Sequence, residues 1–453
     1  MAEITKILIA NRGEIVQRAV RTIREIGKKS VAVYSTGDKE ASYLKHADEA
    51  ICIGSARSKD SYLNIPALIT AAELTGCDAI FPGYGFLSEN RDFVEICRLH
   101  NIKFIGPSVE AMDLMSDKSK AKEVMVRAGV PVVPGSEGAV HSLEEAKIVA
   151  QEIGYPIMAK ASSGGGGRGM RVIESEDKFD QLFTAASSEA LAAFGDGTMY
   201  LERFIKNPRH IEVQVVGDSH GNAIHIGERD CSLQRRHQKV IEESPAVLLD
   251  DETRAKLLET AVNATKFLKY EGAGTFEFLV DSEKNFYFME MNTRLQVEHP
   301  VSEMVSGIDI VELMIKVAEG GELPPQESIK FRGHAIECRI TAEDPKSFLP
   351  CPGKITQWMV PGGRNVRVDS HIYTGYSVPP YYDSMIGKLI VWGRDRTKAI
   401  AIMKRALEEF EVSGIKTTIA FHKKMLLNKD FLANTYDTKY LERVNIWEME
   451  DEA

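Results

Sequence analysis

Cysteine is scarce in this 453-residue sequence: Cys52, Cys77, Cys97, Cys231, Cys338 and Cys351 stand far apart, with no CxxC pair. That spacing excludes a zinc or redox dithiol motif and predicts reduced thiols in a cytoplasmic protein. Long apolar runs are missing too, since charge, Gly or Pro interrupts each one short of the ~20 residues that span a bilayer. No membrane role is expected, and the opening MAEITKILIANRGE lacks the long apolar region and small-residue cleavage site of a signal peptide. Positive charge is in deficit, with 56 Lys and Arg against 66 Asp and Glu. A formal charge of −10 repels a phosphate backbone, so no nucleic-acid partner is expected.

What is present is ordinary for a folded soluble protein: 43% apolar and 27% charged residues. At ~150 residues per domain the length accommodates about three domains. KILIA at 6–10, a helical pattern over 14–26 ended by Gly27, VAVY at 31–34 and further alternation through 79–82 and 103–105 predict an α/β unit on a parallel sheet. Its first turn, Asn11-Arg12-Gly13, is not the GxGxxG of a dinucleotide site, so the Rossmann-like topology does not extend to NAD. A second unit starts near Asp113, with helices over 118–128 and 142–153, Pro131 and Pro134 between them, and a strand over 156–161. Strands follow at 199–205, 210–216, 222–227, 274–280 and 285–292, with a helix at 251–269. GGELPPQ at 320–326 closes a helix over 308–319 and marks a boundary. Beyond it lies a strand-rich region to about 393, then helices at 397–410 and 416–427.

Three features carry chemistry. In SSGGGGRGM at 162–170, Gly164, Gly165, Gly166 and Gly167 follow a strand containing Lys160. Ordering four glycines is entropically costly, so a mobile loop that orders over a ligand, with backbone N–H groups cradling phosphates, competes with a plain flexible turn. Second, Glu290, Asn292, Arg294, Gln296 and Glu298 keep period two, which in an extended chain places all five on one face. If 274–280 and 285–292 form a hairpin with Val280 facing Asn285, Glu277 shares that face as a diagonal neighbour of Glu290. Two carboxylates and an amide oxygen suit Mg²⁺, an ion-paired sheet face being the alternative. A straight strand over 290–298 would run roughly 26 Å, so the segment must bend or serve two subsites, with Arg294 a candidate anion ligand and Glu298 a candidate base. Third, SLQRRHQK at 232–239 concentrates Arg235, Arg236, His237 and Lys239, as an anionic substrate or a basic surface loop would.

Six segments together resemble the biotin carboxylase family of the ATP-grasp superfamily: ILIANRGEI at 7–15, FPGYGFLSEN at 81–90, SSGGGGRGM at 162–170, ERDCSLQRRHQK at 228–239, EMNTRLQVEHPVSE at 290–303 and HAIECRITAEDP at 334–345. The resemblance runs through nearly the whole chain. It implies a mixed α/β and α+β multidomain protein: a Rossmann-like N-terminal domain at 1–115, an ATP-grasp region at 116–330 with a mobile glycine-loop lid at about 133–203, and a strand-rich C-terminal domain at 331–445. The implied reaction is ATP plus bicarbonate plus biotin to ADP, phosphate and carboxybiotin, by way of carboxyphosphate.

By the same resemblance, Lys118, Lys160, the four glycines, Glu202, Arg203, Ile205, His210, Gln234, His237, Glu277 and Glu290 contact the nucleotide. Glu277, Glu290 and Asn292 hold Mg²⁺ or Mn²⁺. Lys239, Arg294, Gln296, Val297 and Glu298 bind bicarbonate, with Glu298 as base, and Tyr84 and Arg339 serve biotin. The segment at 402–405, IMKR, is not the A-M-K-M context of a biotinylated lysine, so biotin is expected on a separate carrier protein. The implied partners are that biotin carboxyl carrier protein, carboxyltransferase subunits and a second copy of the chain in a homodimer. A subunit of acetyl-CoA carboxylase, feeding fatty acid synthesis, is expected. A subunit of a pyruvate carboxylase or another acyl-CoA carboxylase is the alternative.

Overall fold

The computed structural model describes residues 3–448 except 117, 137, 162–169 and 195. The chain divides into two compact units, one running to Val130 and resuming over Arg209–Phe278 and from Glu290, the other made of Pro131–Pro208 and Leu279–Met289.

Within the first unit, the N-terminal strands Lys6–Ile9, Lys29–Ser35, Glu49–Gly54, Ala79–Phe81 and Lys103–Phe104 form a five-stranded sheet whose order is third, second, first, fourth, fifth. Every pairing is parallel. Parallel strands need both faces covered. Leu8, Val31, Val33 and Ile80 pack one face with Leu68 and Phe93, while Ile7, Ile9, Ala32 and Phe81 pack the other with Val16 and Val20. The helix Glu14–Glu25 starts at Gly13, whose φ of 82° favours glycine. Beside it, the Asn11 side chain donates to the carbonyls of Pro82 (2.7 Å) and Tyr84 (2.8 Å), fixing the loop that carries Tyr84.

An eight-stranded sheet runs in the order Phe286–Asn292, Gly272–Val280, Arg209–Gly217, Ala223–Arg235, Gln238–Ser244, His334–Thr341, Met385–Gly393, Val366–Ser370. It is antiparallel from Arg209–Gly217 through Val366–Ser370. C-terminal to it, the helix Arg396–Glu409 opens on Asp395, which accepts the Lys398 N–H, and buries Ile400, Met403 and Leu407. The second unit has a three-stranded antiparallel sheet of Met170–Ile173, Ile157–Ala161 and Met199–Arg203, in that order. The helices Leu143–Ile153 and Phe179–Phe194 supply Ala146, Ala150, Phe179 and Phe183 to its core.

One local expectation is corrected. The strand expected to end at 227 runs on to Arg235, and 232–239 is a β-hairpin rather than a loop. Its two-residue turn, Arg236 (φ 49°) and His237 (φ 64°), puts both residues in the left-handed region, as tight hairpins require, without the Gly or Asn that would have announced it. The strand over 285–292 ends at Asn292, and the polar segment leaves it there. There the Thr293 N–H turns to Glu89 (3.0 Å), and Glu298 becomes the residue preceding the helix His299–Ser306, with Pro300 in its first turn. No helix among the described residues is long and apolar enough to cross a membrane.

Candidate active site

Strand register decides which polar residues meet. Leu233 and Ile241 are paired across the Ala223–Arg235 and Gln238–Ser244 strands, then Gln234 with Lys239 and Arg235 with Gln238, so the four cations of the basic segment separate. Lys239 turns inward. Arg235 lies over the Phe348 ring at 4.2 Å, and Arg236 and His237 stay exposed at the turn. Only Lys239 of that group joins the acids.

Its ammonium donates to Glu212 (2.5 Å), Glu298 (2.6 Å) and Glu277 (3.0 Å), three buried carboxylates from different parts of the chain. Three donors are what an ammonium has, so an anion that binds Lys239 must take the place of one of these carboxylates. Two clusters with metal-ligand composition, His210 with Glu212 and Glu277, and Glu212 with Cys231 and Glu298, occur among the described residues. Lys239 bridges carboxylates in both, so the compensating positive charge is already supplied.

Glu298 has no exposed surface. Its second oxygen accepts from Arg339 Nη2 (2.9 Å). Burial alone would raise its pKa, but Lys239, Arg339 and Arg229 outweigh it and hold the carboxyl well below its usual range. Arg339 is gripped again through Nε by Glu242 (2.6 Å), and its own carbonyl accepts from Thr418 Oγ1 (3.1 Å) and His422 Nε2 (2.7 Å).

The bend after Asn292 folds the polar strip back on itself. Arg294 donates to Glu89 (2.8 Å), Asn292 Oδ1 (2.9 Å) and Gln296 Oε1 (3.0 Å), while Asn292 Nδ2 (2.8 Å) and Gln296 Nε2 (3.0 Å) both donate to Glu277. Burial opposes ionisation of Glu277, yet Lys239 and His210 keep it far below the ordinary carboxylate range. Gln234 Nε2 donates to His210 Nδ1 (2.9 Å), which places the ring proton on Nε2, 3.0 Å from Glu277. Glu290 lies two residues before Asn292 on the same strand and therefore on the same face. Glu277, held ionised, and Glu290 offer hard oxygen donors of the kind Mg²⁺ takes, so the residues fit such an ion.

Lys388, fully buried, donates to the Val297 carbonyl (2.8 Å) and pairs with Glu14 (3.1 Å). Glu14 in turn accepts from the Tyr84 hydroxyl, so one lysine ties the Tyr84 loop to the segment bearing Glu298. Arg229 donates to Glu212 (2.5 Å), Gln214 (2.8 Å) and Ser302 (3.0 Å) from a fully buried position.

The remaining expected residues are placed by their own elements. In the second unit, Lys160 pairs with Glu202, and Arg203 and Ile205 flank the end of the same strand. Lys118 opens the helix Lys118–Arg127 in the first unit. Gly164, Gly165, Gly166 and Gly167 lie outside the described residues. Sequence reasoning missed Glu14, Glu89, Glu212, Arg229, Glu242, Glu337 and Lys388. The available signal was polar alternation inside apolar strands, as in Glu212 and Gln214 between Ile211, Val213 and Val215.

Comparison with known proteins adds three family matches: the biotin carboxylase N-terminal domain over residues 3–112, the carbamoyl-phosphate synthase L chain ATP-binding domain over 117–326 and the biotin carboxylase C-terminal domain over 337–443. The chain is 55% identical to a biotin carboxylase of Nostoc sp., covering 97% of this chain and 99% of that one. A crystal structure of a Campylobacter jejuni biotin carboxylase in a β,γ-ATP complex is similar at 69% identity and TM-score 0.89, over 98% of this chain and 99% of that one. The biotin carboxylase domain dimer of Hydrogenobacter thermophilus 2-oxoglutarate carboxylase, solved with MgADP, ADP and bicarbonate, matches at 47% identity and TM-score 0.87 over 100% of both chains.

Proposed function

The chain belongs to the biotin carboxylase family, and from that premise we propose that it carboxylates carrier-bound biotin with ATP and bicarbonate through the cluster around Lys239. The observation that carries this reading is Glu298 held between Lys239 (2.6 Å) and Arg339 (2.9 Å) in a buried pocket of charge. Bicarbonate gains nucleophilicity when a base takes its proton, and Glu298 is the ionised carboxylate fixed beside two cations that hold anions. A bicarbonate oxygen bonds to the γ-phosphorus as the bond to ADP breaks, and the proton passes to Glu298. Carboxyphosphate then yields its carboxyl group to a biotin nitrogen as its C–O bond to phosphate breaks, and the departing phosphate takes the nitrogen's proton. Lys239 and Arg294 hold the anion, with Gln296 and the Val297 backbone beside them. Arg339, steadied through its carbonyl and guanidinium, orients biotin with Tyr84.

Glu277, Glu290 and Asn292 would hold Mg²⁺ or Mn²⁺, which neutralises phosphate charge in phosphoryl transfer. Nucleotide contacts fall to His210, Gln234, His237 and Lys118, and, within the second unit, to Lys160, Glu202, Arg203 and Ile205. The Nostoc relative, matched over 99% of its own length, supports the biotin carboxylase role. Its partners would be a biotin carboxyl carrier protein and the carboxyltransferase of an acetyl-CoA carboxylase. Six unpaired cysteines fit a reducing cytoplasm.

The test is a pair of rates, ATP cleavage and carboxybiotin formation, at saturating ATP. Glu298→Gln should bind ATP normally and lose both rates by at least ~10²-fold, the scale of a general base. Arg339→Ala should lower carboxybiotin formation more than biotin-independent ATP cleavage. Retention of both rates in Glu298→Gln, or equal loss of both in Arg339→Ala, would disprove this division of labour.

A further inference from the structure

A buried acid pair, Glu242 and Glu337, lies beside Arg339, and the proposed mechanism gives it no chemical step. Glu242 and Glu337 face each other across the antiparallel strands Gln238–Ser244 and His334–Thr341, and both are completely buried. Arg339, two residues beyond Glu337 and so on the same face, reaches Glu242 diagonally. Glu242 Oε1 accepts its Nε–H at 2.6 Å, but Oε2 has no hydrogen-bond partner, and neither oxygen of Glu337 has one. A buried ionised carboxylate ordinarily has its lone pairs satisfied. An orphaned oxygen at Glu242 is where a proton would sit.

One guanidinium therefore serves two carboxylates: Glu298 through Nη2 and Glu242 through Nε. When Glu242 is ionised, the charge of Arg339 is shared and Glu298 keeps more affinity for a proton. When Glu242 is neutral, the full charge falls on Glu298 and weakens it as a base. Resting on the assignment of Glu298 as base, we propose that Glu242 is a positioning residue for the carboxylation reaction, which sets the strength of that base by sharing Arg339 with it.

The charged and titratable groups facing Glu242 are Cys231 from the strand Ala223–Arg235, Lys239 on its own strand, Glu337, Cys338 and Arg339 from His334–Thr341, and Glu298 ahead of the helix His299–Ser306. Burial, opposed by Arg339 and reinforced by Glu298, raises Glu242 to about 7, so it changes charge in the working range. Glu337 is driven well above the carboxylate range, first by burial, and stays neutral there. Ionised Glu242 is the competent form, so activity falls as pH drops through its ionisation.

The experiment is the rate of carboxybiotin formation from about pH 6 to about pH 8.5 at saturating substrates. The parent should show an acid limb centred near 7. Glu242→Gln, permanently neutral, should lose that limb and run about tenfold below the parent at its alkaline end, the effect of roughly one pH unit of lost basicity at the base. Glu242→Asp should keep a limb at a displaced midpoint, and Glu337→Gln should keep it in place. A limb that survives Glu242→Gln, or one abolished by Glu337→Gln, would overturn the proposal. So would an unmoved midpoint in Glu242→Asp, a result available even if the Gln variant folds poorly. Glu298→Gln and Arg339→Ala, assayed alongside, judge the underlying assignments separately: both can behave as stated above while the limb stays indifferent to Glu242.

Discussion

Replacing Lys239 by methionine removes one ammonium from three carboxylates while keeping most of the side chain's volume. Glu212 keeps Arg229 (2.5 Å), Glu298 keeps Arg339 (2.9 Å), and Glu277 keeps the amides of Asn292 and Gln296 with His210 nearby. Each acid is left partly compensated, and removing one partner from a buried ionic group costs about 3–5 kcal/mol. Lys239 is the leading counter-charge holding both Glu277 and Glu298 below the usual carboxylate range against their burial. Without it, one of them takes up a proton that the unfolded chain does not bind near neutrality. The sign follows: native Lys239→Met binds more protons than its unfolded state, so its stability rises as pH falls, by up to ~1.4 kcal/mol per pH unit.

At about 2 °C per kcal/mol, the low end for large domains, the unfolding midpoint should drop about 6–10 °C at alkaline pH. Two pH units lower, about 5 °C of that loss should return. Scanning fluorimetry at one fixed scan rate, parent against variant across that range, reads the difference directly. A loss independent of pH would refute the reasoning, because it would mean that the damage is packing and not uncompensated charge.

Glu290→Gln keeps shape while removing a proposed metal ligand's carboxylate, so the variant should fold normally but require far more Mg²⁺ for half-maximal turnover; an unchanged Mg²⁺ dependence would reject the assignment. Glu243, bonded to Arg396 (2.7 and 2.9 Å) and His334 (2.8 Å), is buried but held to about 2 from 4.5. Its contribution, about 3 kcal/mol from the size of that shift, is present above 4.5 and fades as pH falls toward 2. The midpoint difference between the parent and Glu243→Gln should therefore narrow in acid, and a constant difference would count against it. A homodimer should sediment at twice the 50.3 kDa chain mass at micromolar concentration, whereas a single monomer boundary would argue against that partner.

The parts of the site that could be read from sequence are those whose chemistry is concentrated in a contiguous segment. The polar strip 290–298 grouped Glu290, Asn292, Arg294, Gln296 and Glu298, its length called for a bend or for two subsites, and the strand ends at Asn292. The parallel N-terminal sheet was legible because buried strands and amphipathic helices alternate with different periods. The hairpin at Arg236 and His237 was not, because its left-handed residues lack the usual turn chemistry. The acids behind the site were illegible for a further reason. Glu212, Glu242 and Glu337 sit inside otherwise apolar strands; Glu212 meets Arg229 on the next strand, while Glu242 and Glu337 meet across strands distant in sequence. In Glu242 and Glu337, paired across 95 residues of chain difference, nothing local says that the two carboxyls face each other or that Arg339 lies diagonal to the first. Such acids can be identified only once strand order and register are known, as they are for Glu242, Glu337 and Arg339.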